Sequence, residues 1–187
     1  MSALVPHTSS AALTAAHTPA AAEPGQYLTF MLAGEVFAIG ILAIKEIIEY
    51  HSLTEVPMMP ACVRGVINLR GAVVPVMDPL ARFGRKSTDV TKRTCIVIVE
   101  TEVENEGRLE RQVIGVVVDA VNEVLEIASS DIEPAPAFGA RIRSEFILGV
   151  GKVKGKFVIL LDVNHVLSID EVNPSTAGTP AELAVAH

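Results

Sequence analysis

The chain has 187 residues, half of them apolar, with 4% aromatics, two cysteines, no tryptophan and a formal net charge of −7. A body of about 150 residues buries close to 70% of its unfolded surface and folds without staples, so one domain, or two small lobes sharing a core, is the expected scale. The acidic balance and the scarcity of rings argue against a nucleic-acid binder, which needs clustered Lys/Arg and stacking aromatics, and against a basic membrane-surface helix.

Residues 1–25 are built from Ala, Thr, Ser, Pro and His with Glu23 as their only carboxylate, and Pro6, Pro19 and Pro24 interrupt any helix. They read as a disordered leader. The positive n-region of a signal peptide is missing, because the first basic residue is Lys45, and this places the chain in the cytoplasm. The body, 26–172, carries Val, Ile, Leu and Phe in short runs bounded by Gly, Pro, Asp or charge clusters, which is strand punctuation. Candidate strands are 26–33, 36–41, 43–49, 64–70, 72–78, 94–101, 112–119, 121–127, 146–153 and 156–162. Two short helices are expected where an aspartate can cap them: Pro79 to Phe83 after Asp78, with proline at the first helical position, and Val163 to Leu167 after Asp162. The charged stretch Glu100 to Arg111, around Gly107, reads as an exposed hairpin loop. Residues 173–187 resemble the leader and read as a flexible tail. No apolar run approaches the ~18 residues of a membrane span, so no membrane insertion is expected. Cys62 and Cys95 are too few and too far apart for a disulfide framework or a zinc site; they read as core side chains of a protein in a reducing compartment.

An internal repeat organises the body. GVINLRGAVVPVMD at 65–78 matches GVGKVKGKFVILLD at 149–162 without gaps, and AIKEIIE at 43–49 matches AVNEVLE at 120–126. Two duplicated units of about five short strands imply two small barrels packed on one another, an all-β architecture. Gly71 and Gly155 stand at the tips of matching hairpins, where a two-residue turn requires positive φ. Asp78 and Asp162 end matching strands as helix caps.

Reaction chemistry is hard to find. Gly149, Gly151 and Gly155 fit neither GxGxxG nor GxxxxGK and lead into a strand instead of a helix N-terminus, so no nucleotide site is expected. Neither GxSxG nor HExxH occurs. His7, His17 and His187 lie in the tails, His51 in a turn and His165 alone in a short helix. Glu46 and Glu123 occupy equivalent places in the repeat, which suits structure better than an acid/base pair. The expectation is a binding module, not an enzyme, with neither cofactor nor metal.

The segment VPMMPACVRGVINLRGAVVPVMDPLARFG at 56–84 closely resembles the CheW-like family of bacterial chemotaxis coupling proteins. The resemblance continues through IGVVVDAVNEVLEI at 114–127, IEPAPAFG at 132–139 and FILGVGKV at 146–153, covering nearly all of 26–172. It implies two intertwined five-stranded SH3-like barrels and a non-enzymatic adaptor that joins the histidine kinase CheA to methyl-accepting chemoreceptors in the polar array. One face would pair with the kinase's own CheW-like regulatory domain, barrel end to barrel end. A groove between the lobes would receive the helical hairpin tip of the receptor. An adaptor of the same fold serving a twitching, gliding or developmental cluster fits the residues equally.

Carried over residue by residue, the resemblance places partner-binding positions at Gly65, Asn68, Arg70 and Gly71 of the NLRG segment and at Ile44 and Glu46 of the preceding strand. Arg70 is the first choice, since its guanidinium makes forked contacts with a carboxylate or amide; Glu46 is either a partner's acceptor or the group that orients Arg70. Met58, with Met59 between Pro57 and Pro60, offers a flexible thioether surface, whereas Val66 reads better as barrel core.

Overall fold

The computed structural model describes residues 25–135 and 142–168. The leader expected over 1–25, apart from Gly25, the tail over 173–187 and the end of the IEPAPAFG segment lie outside them.

Among the described residues eleven strands form two sheets. Strands β1 (Gly25–Leu32), β2 (Glu35–Gly40), β8 (Ala120–Ile127), β9 (Ile132–Glu133), β10 (Ile147–Val153) and β11 (Lys156–Leu161) build one, in the order β8-β1-β2-β11-β10-β9. Strands β3 (Ile44–Glu49), β4 (Val63–Leu69), β5 (Ala72–Met77), β6 (Cys95–Asn105) and β7 (Arg108–Val118) build the other, in the order β3-β6-β7-β5-β4. Apart from the two-residue β9, the two orders are the same once the repeat is applied: β3 corresponds to β8, β6-β7 to β1-β2, and β5-β4 to β11-β10. Even the parallel neighbours match, β5 beside β7 and β11 beside β2. Each sheet curls into an SH3-like barrel, so the all-β, two-barrel expectation holds.

The barrels are not the two halves of the chain. The first hairpin, β1-β2, completes the second barrel, and the chain then crosses through a 3₁₀ turn (Ile41–Ala43) into β3 of the first. A long shared core results. Phe30 and Phe37 from one sheet pack with Val97, Val99 and Ile114 from the other, while smaller cores fill each barrel, around Ile67, Val76, Ile96 and Ile98 in the first and Ala38, Ile127 and Leu160 in the second. Arg82 ties the lobes by donating from Nε to the Val166 carbonyl at 3.1 Å while its guanidinium covers the Phe146 ring.

Local signals came through unaltered. Helices α1 (Pro79–Arg82) and α2 (Val163–Val166) start after Asp78 and Asp162, whose carboxylates accept the first free amides of each. At the hairpin tips both turn residues are left-handed, Arg70–Gly71 at φ 53° and 87° and Lys154–Gly155 at 48° and 77°, the two-residue turn that matches strand twist.

Two expectations need correction. Glu100 to Arg111 is not a loop: β6 and β7 run through it in unbroken register to a turn at Glu106–Gly107, forming a ribbon that leaves the barrel. Both faces of its outer part meet water, so its alternating glutamates look loop-like in sequence. Cross-strand contacts replace burial, with Arg111 lying 3.6 Å from Glu100 and 3.7 Å from Glu102. The Lys45 ammonium, hydrogen-bonded to Glu100 at 2.8 Å, holds that carboxyl below its usual range. Val66, read as core, is half-buried and belongs to none of the three clusters.

Cys62 is buried in the shared core, and burial pushes its thiol pKa up; Cys95 is partly exposed and donates to the Arg93 carbonyl. The thiolate is the reactive form, so a disulfide reagent is expected to modify Cys95 first. Cys62 should react only at the rate of unfolding, measured by mass spectrometry of time-quenched samples.

Candidate functional site

Barrel closure, not sequence proximity, assembles the candidate site. The first sheet begins with β3 and ends with β4, and curling brings these outer strands together. Arg70, on the β4-β5 turn, then reaches Glu46 in β3: its guanidinium donates to Glu46 Oε2 at 2.9 Å. Of the two roles open to Glu46, the structure shows the orienting one. The Arg70 side chain is still 80% exposed, so the guanidinium is anchored on one side and open on the other. An exposed pair of this kind adds little to stability, about 0–1 kcal/mol.

Asn68 and Gly71 serve the same hairpin. Asn68 Oδ1 accepts the Gly71 N–H at 2.9 Å, locking the turn that carries Arg70, and Val73, paired with Asn68 across the hairpin, projects an exposed apolar side chain. Gly65 is buried lower in β4, where a Cβ would lie 2.5 Å from the Thr54 carbonyl oxygen. Thr54 forms a two-bond bridge with Val66, its N–H donating to Val66 O at 3.0 Å and the Val66 N–H donating back at 2.8 Å. This bridge pins the segment that presents Met58, which is fully exposed at φ 63°. Ile44 packs against the shared core and leaves only part of its side chain at the surface. Glu46, Asn68, Arg70 and Gly71 therefore meet at one tip, while Ile44, Met58 and Gly65 surround it through the scaffold.

A second feature escaped the sequence reading. Where the chain passes from the second barrel to the first, a hollow of about 400 Å³ lies between the Ile41–Ala43 turn, Tyr27, Leu148 and α2. Leu42 at its rim is 99% exposed, and Leu148 is also exposed. The strands expected at 36–41 and 43–49 leave a break at Leu42 to which the sequence assigns no role; the 3₁₀ turn at Ile41–Ala43 is what aims Leu42 outward. The next strand residues are Ile44 and Glu46, which links the hollow to the Arg70 tip.

Among the described residues no group of three or more His, Cys, Asp or Glu could hold a metal ion, and no helix is long and apolar enough to cross a membrane. Two interlocked barrels with an anchored arginine and exposed aliphatic side chains define a protein-docking scaffold. Comparison with known proteins makes the class specific: residues 26–171 match the CheW-like domain, and the chain belongs to that family. The chemotaxis protein CheW of Klebsiella aerogenes is 32% identical over 147 residues, spanning 79% of this chain and 84% of its own. That of Rhizobium meliloti is 32% identical over 146 residues, 78% of this chain and 89% of its own. The solved scaffolding protein CheW from Thermoanaerobacter tengcongensis superposes with a TM-score of 0.68 at 32% identity, covering 83% of this chain and 95% of that one. The protein is a non-enzymatic, CheW-like scaffold of chemotaxis signalling.

Proposed function

We propose that this scaffold couples methyl-accepting chemoreceptors to the histidine kinase CheA at membrane-associated receptor arrays on the cytoplasmic side. The folded body over 26–172 carries the function, flanked by the leader and the tail. A receptor's helical hairpin tip lies along the hollow at Leu42 and Leu148, and the kinase's CheW-like regulatory domain meets a barrel end. Neither contact involves phosphoryl transfer by this chain. Coupling works by difference: a partner state that fits the surface better is favoured by that affinity difference, and the bound kinase responds to the shift.

The observation that carries this reading is the Glu46-anchored, open Arg70 guanidinium on the NLRG hairpin. A long charged side chain normally loses rotamer freedom on binding; here one carboxylate has already fixed it, leaving donors in fork geometry for a partner carboxylate or amide. Arg70→Ala is expected to weaken capture of a receptor-tip fragment or of the kinase regulatory domain by about tenfold or more, as loss of a buried charged contact does. Its melting temperature should stay close to the parent's, because the exposed ion pair contributes little. Titration calorimetry against each fragment tells which partner Arg70 serves. Unchanged affinity for both would remove Arg70 from the interface.

A further inference from the structure

The leader over 1–24 enters the fold at one particular place. β1 starts at Gly25, and Gly25, Gln26 and Tyr27 form one wall of the hollow that Leu42 and Leu148 rim. Leu42 is 99% exposed, as open to water as in an unfolded chain, and Leu148 beside it is 59% exposed. Apolar surface gathered around a hollow is a place for a partner. Among the described residues Asp162 is the only charged side chain lining it, and its oxygens already serve the α2 amides and the His165 ring.

The leader holds a segment whose chemistry suits such a place. Ser10 can cap a helix, residues 11–17 read AALTAAH, and Thr18 stands before Pro19, which keeps it out of a helix. Alanine is the best helix former, and Leu13 is the one large apolar side chain in the segment. A helix here therefore presents a single aliphatic anchor among small neighbours that let its backbone come close. So short a helix is marginal in water, and docking and folding go together. The spacer 18–24 spans about 20 Å when extended, enough to bring Leu13 back over the wall that begins at Gly25. Within 9–18 only His17 titrates, so the segment brings no negative charge to Asp162. The tail, which follows α2, carries Asp170, Glu171 and Glu182 and would set like charge against it.

We propose that the leader folds back on this hollow, residues 10–17 docking as one short helix with Leu13 between Leu42 and Leu148. The contact is intramolecular. A short spacer sets an effective concentration in the millimolar range, so a single anchor is enough to keep the hollow covered much of the time. The consequence for signalling rests on the proposed receptor contact at the same hollow: the leader is then a built-in competitor. A receptor tip binds only the fraction of molecules whose leader is displaced, and its apparent affinity falls by that fraction.

Methyl NMR of the full chain, labelled at leucine, tests the docking without any receptor. Leu13→Glu should shift the Leu42 and Leu148 methyl signals by the same amount at every protein concentration, while Leu183→Glu in the tail should leave them in place. Melting curves that match the parent's show that both variants are folded. Unmoved signals in Leu13→Glu would overturn the proposal. So would signals that move with Leu183→Glu instead, which assign the hollow to the tail, or shifts that vanish on dilution, which place the leader on a second copy. Titration calorimetry with a receptor-tip fragment then reads the competition: Leu13→Glu should bind about two- to tenfold more tightly than the parent. Equal affinity, or binding to neither protein, alongside moved methyl signals overturns the receptor contact at this hollow and leaves the docked leader standing.

Discussion

Replacing Asp78 with alanine is expected to lower stability by about 2–5 kcal/mol, the sum of a lost cap and stranded partners. The side chain is fully buried and does three things at once. Its Oδ1 accepts the Leu80 N–H at 3.0 Å and the Ala81 N–H at 3.5 Å, its Oδ2 accepts the Thr88 N–H at 2.9 Å, and the same oxygen lies 3.6 Å from the Arg64 guanidinium. The cap alone is worth about 1–2 kcal/mol. The rest comes from leaving the buried Thr88 amide without its acceptor and the largely buried Arg64, which keeps its hydrogen bond to the Thr88 carbonyl, without its counter-charge, about 1–3 kcal/mol together. Asp162 holds the equivalent place in the repeat, but its side chain is 20% exposed and among the described residues it serves the α2 amides and the His165 ring. Asp162→Ala should therefore cost about 1 kcal/mol, an ordinary cap loss. Urea denaturation of the pair measures the difference. Equal losses would mean that the Thr88 amide finds another acceptor when Asp78 is removed and that Arg64 is held well enough by the Thr88 carbonyl.

That contrast also shows which parts of the fold were readable in the sequence. The caps, the Arg70–Gly71 and Lys154–Gly155 turns and nearly every strand were, because residue type alone fixes them over a few positions. Which hairpin completes which barrel was not. The β2-β11 seam, with Phe37 beside Ile159, joins residues more than a hundred apart, and nothing local at either end specifies the partner. The ungapped repeat showed two units but could not show that β1-β2 had been lent to the second. Only the outer part of the ribbon, read as a loop over Glu100 to Arg111, was misread, and for the opposite reason: it buries almost nothing, and without a buried face the period-two signal of a strand vanishes.

The candidate site divides along the same line. Family resemblance located the NLRG hairpin, and the structure explains its residues one at a time: Asn68 locks the turn, Gly71 permits it, and Glu46 orients Arg70. The Glu46–Arg70 pairing spans 24 residues and depends on closure of the barrel, so sequence spacing left the role of Glu46 open. Leu42 and Leu148 went unnoticed because an exposed leucine inside an apolar run looks like any core leucine. Their orientation is decided by the 3₁₀ turn at Ile41–Ala43 and by the register shift in β10 between Ile147 and Gly149.

Gly65→Ala is the second large effect, about 2–4 kcal/mol, and it should appear as lost binding as well as lost stability. The added Cβ would lie 2.5 Å from the Thr54 carbonyl oxygen and 3.1 Å from Leu53 Cβ, and the first of these is backbone that no rotamer change can clear. The φ of 154° also lies where side-chain-bearing residues are strained. Relief requires β4 and the 53–54 segment to separate, which breaks the two hydrogen bonds between Thr54 and Val66 and releases the loop that presents Met58. Gly71→Ala meets open space at φ 87° and should cost only about 1 kcal/mol, the penalty of a left-handed alanine. Thermal melts and receptor-tip affinity measured on both variants separate two reasons for a glycine at this site. If Gly65→Ala melts well below the parent and binds poorly while Gly71→Ala does neither, Gly65 acts by allowing the Thr54–Val66 bridge to form. If Gly65→Ala melts with the parent yet fails to bind, the close approach at Thr54 is tolerated and the partner itself must lie against β4.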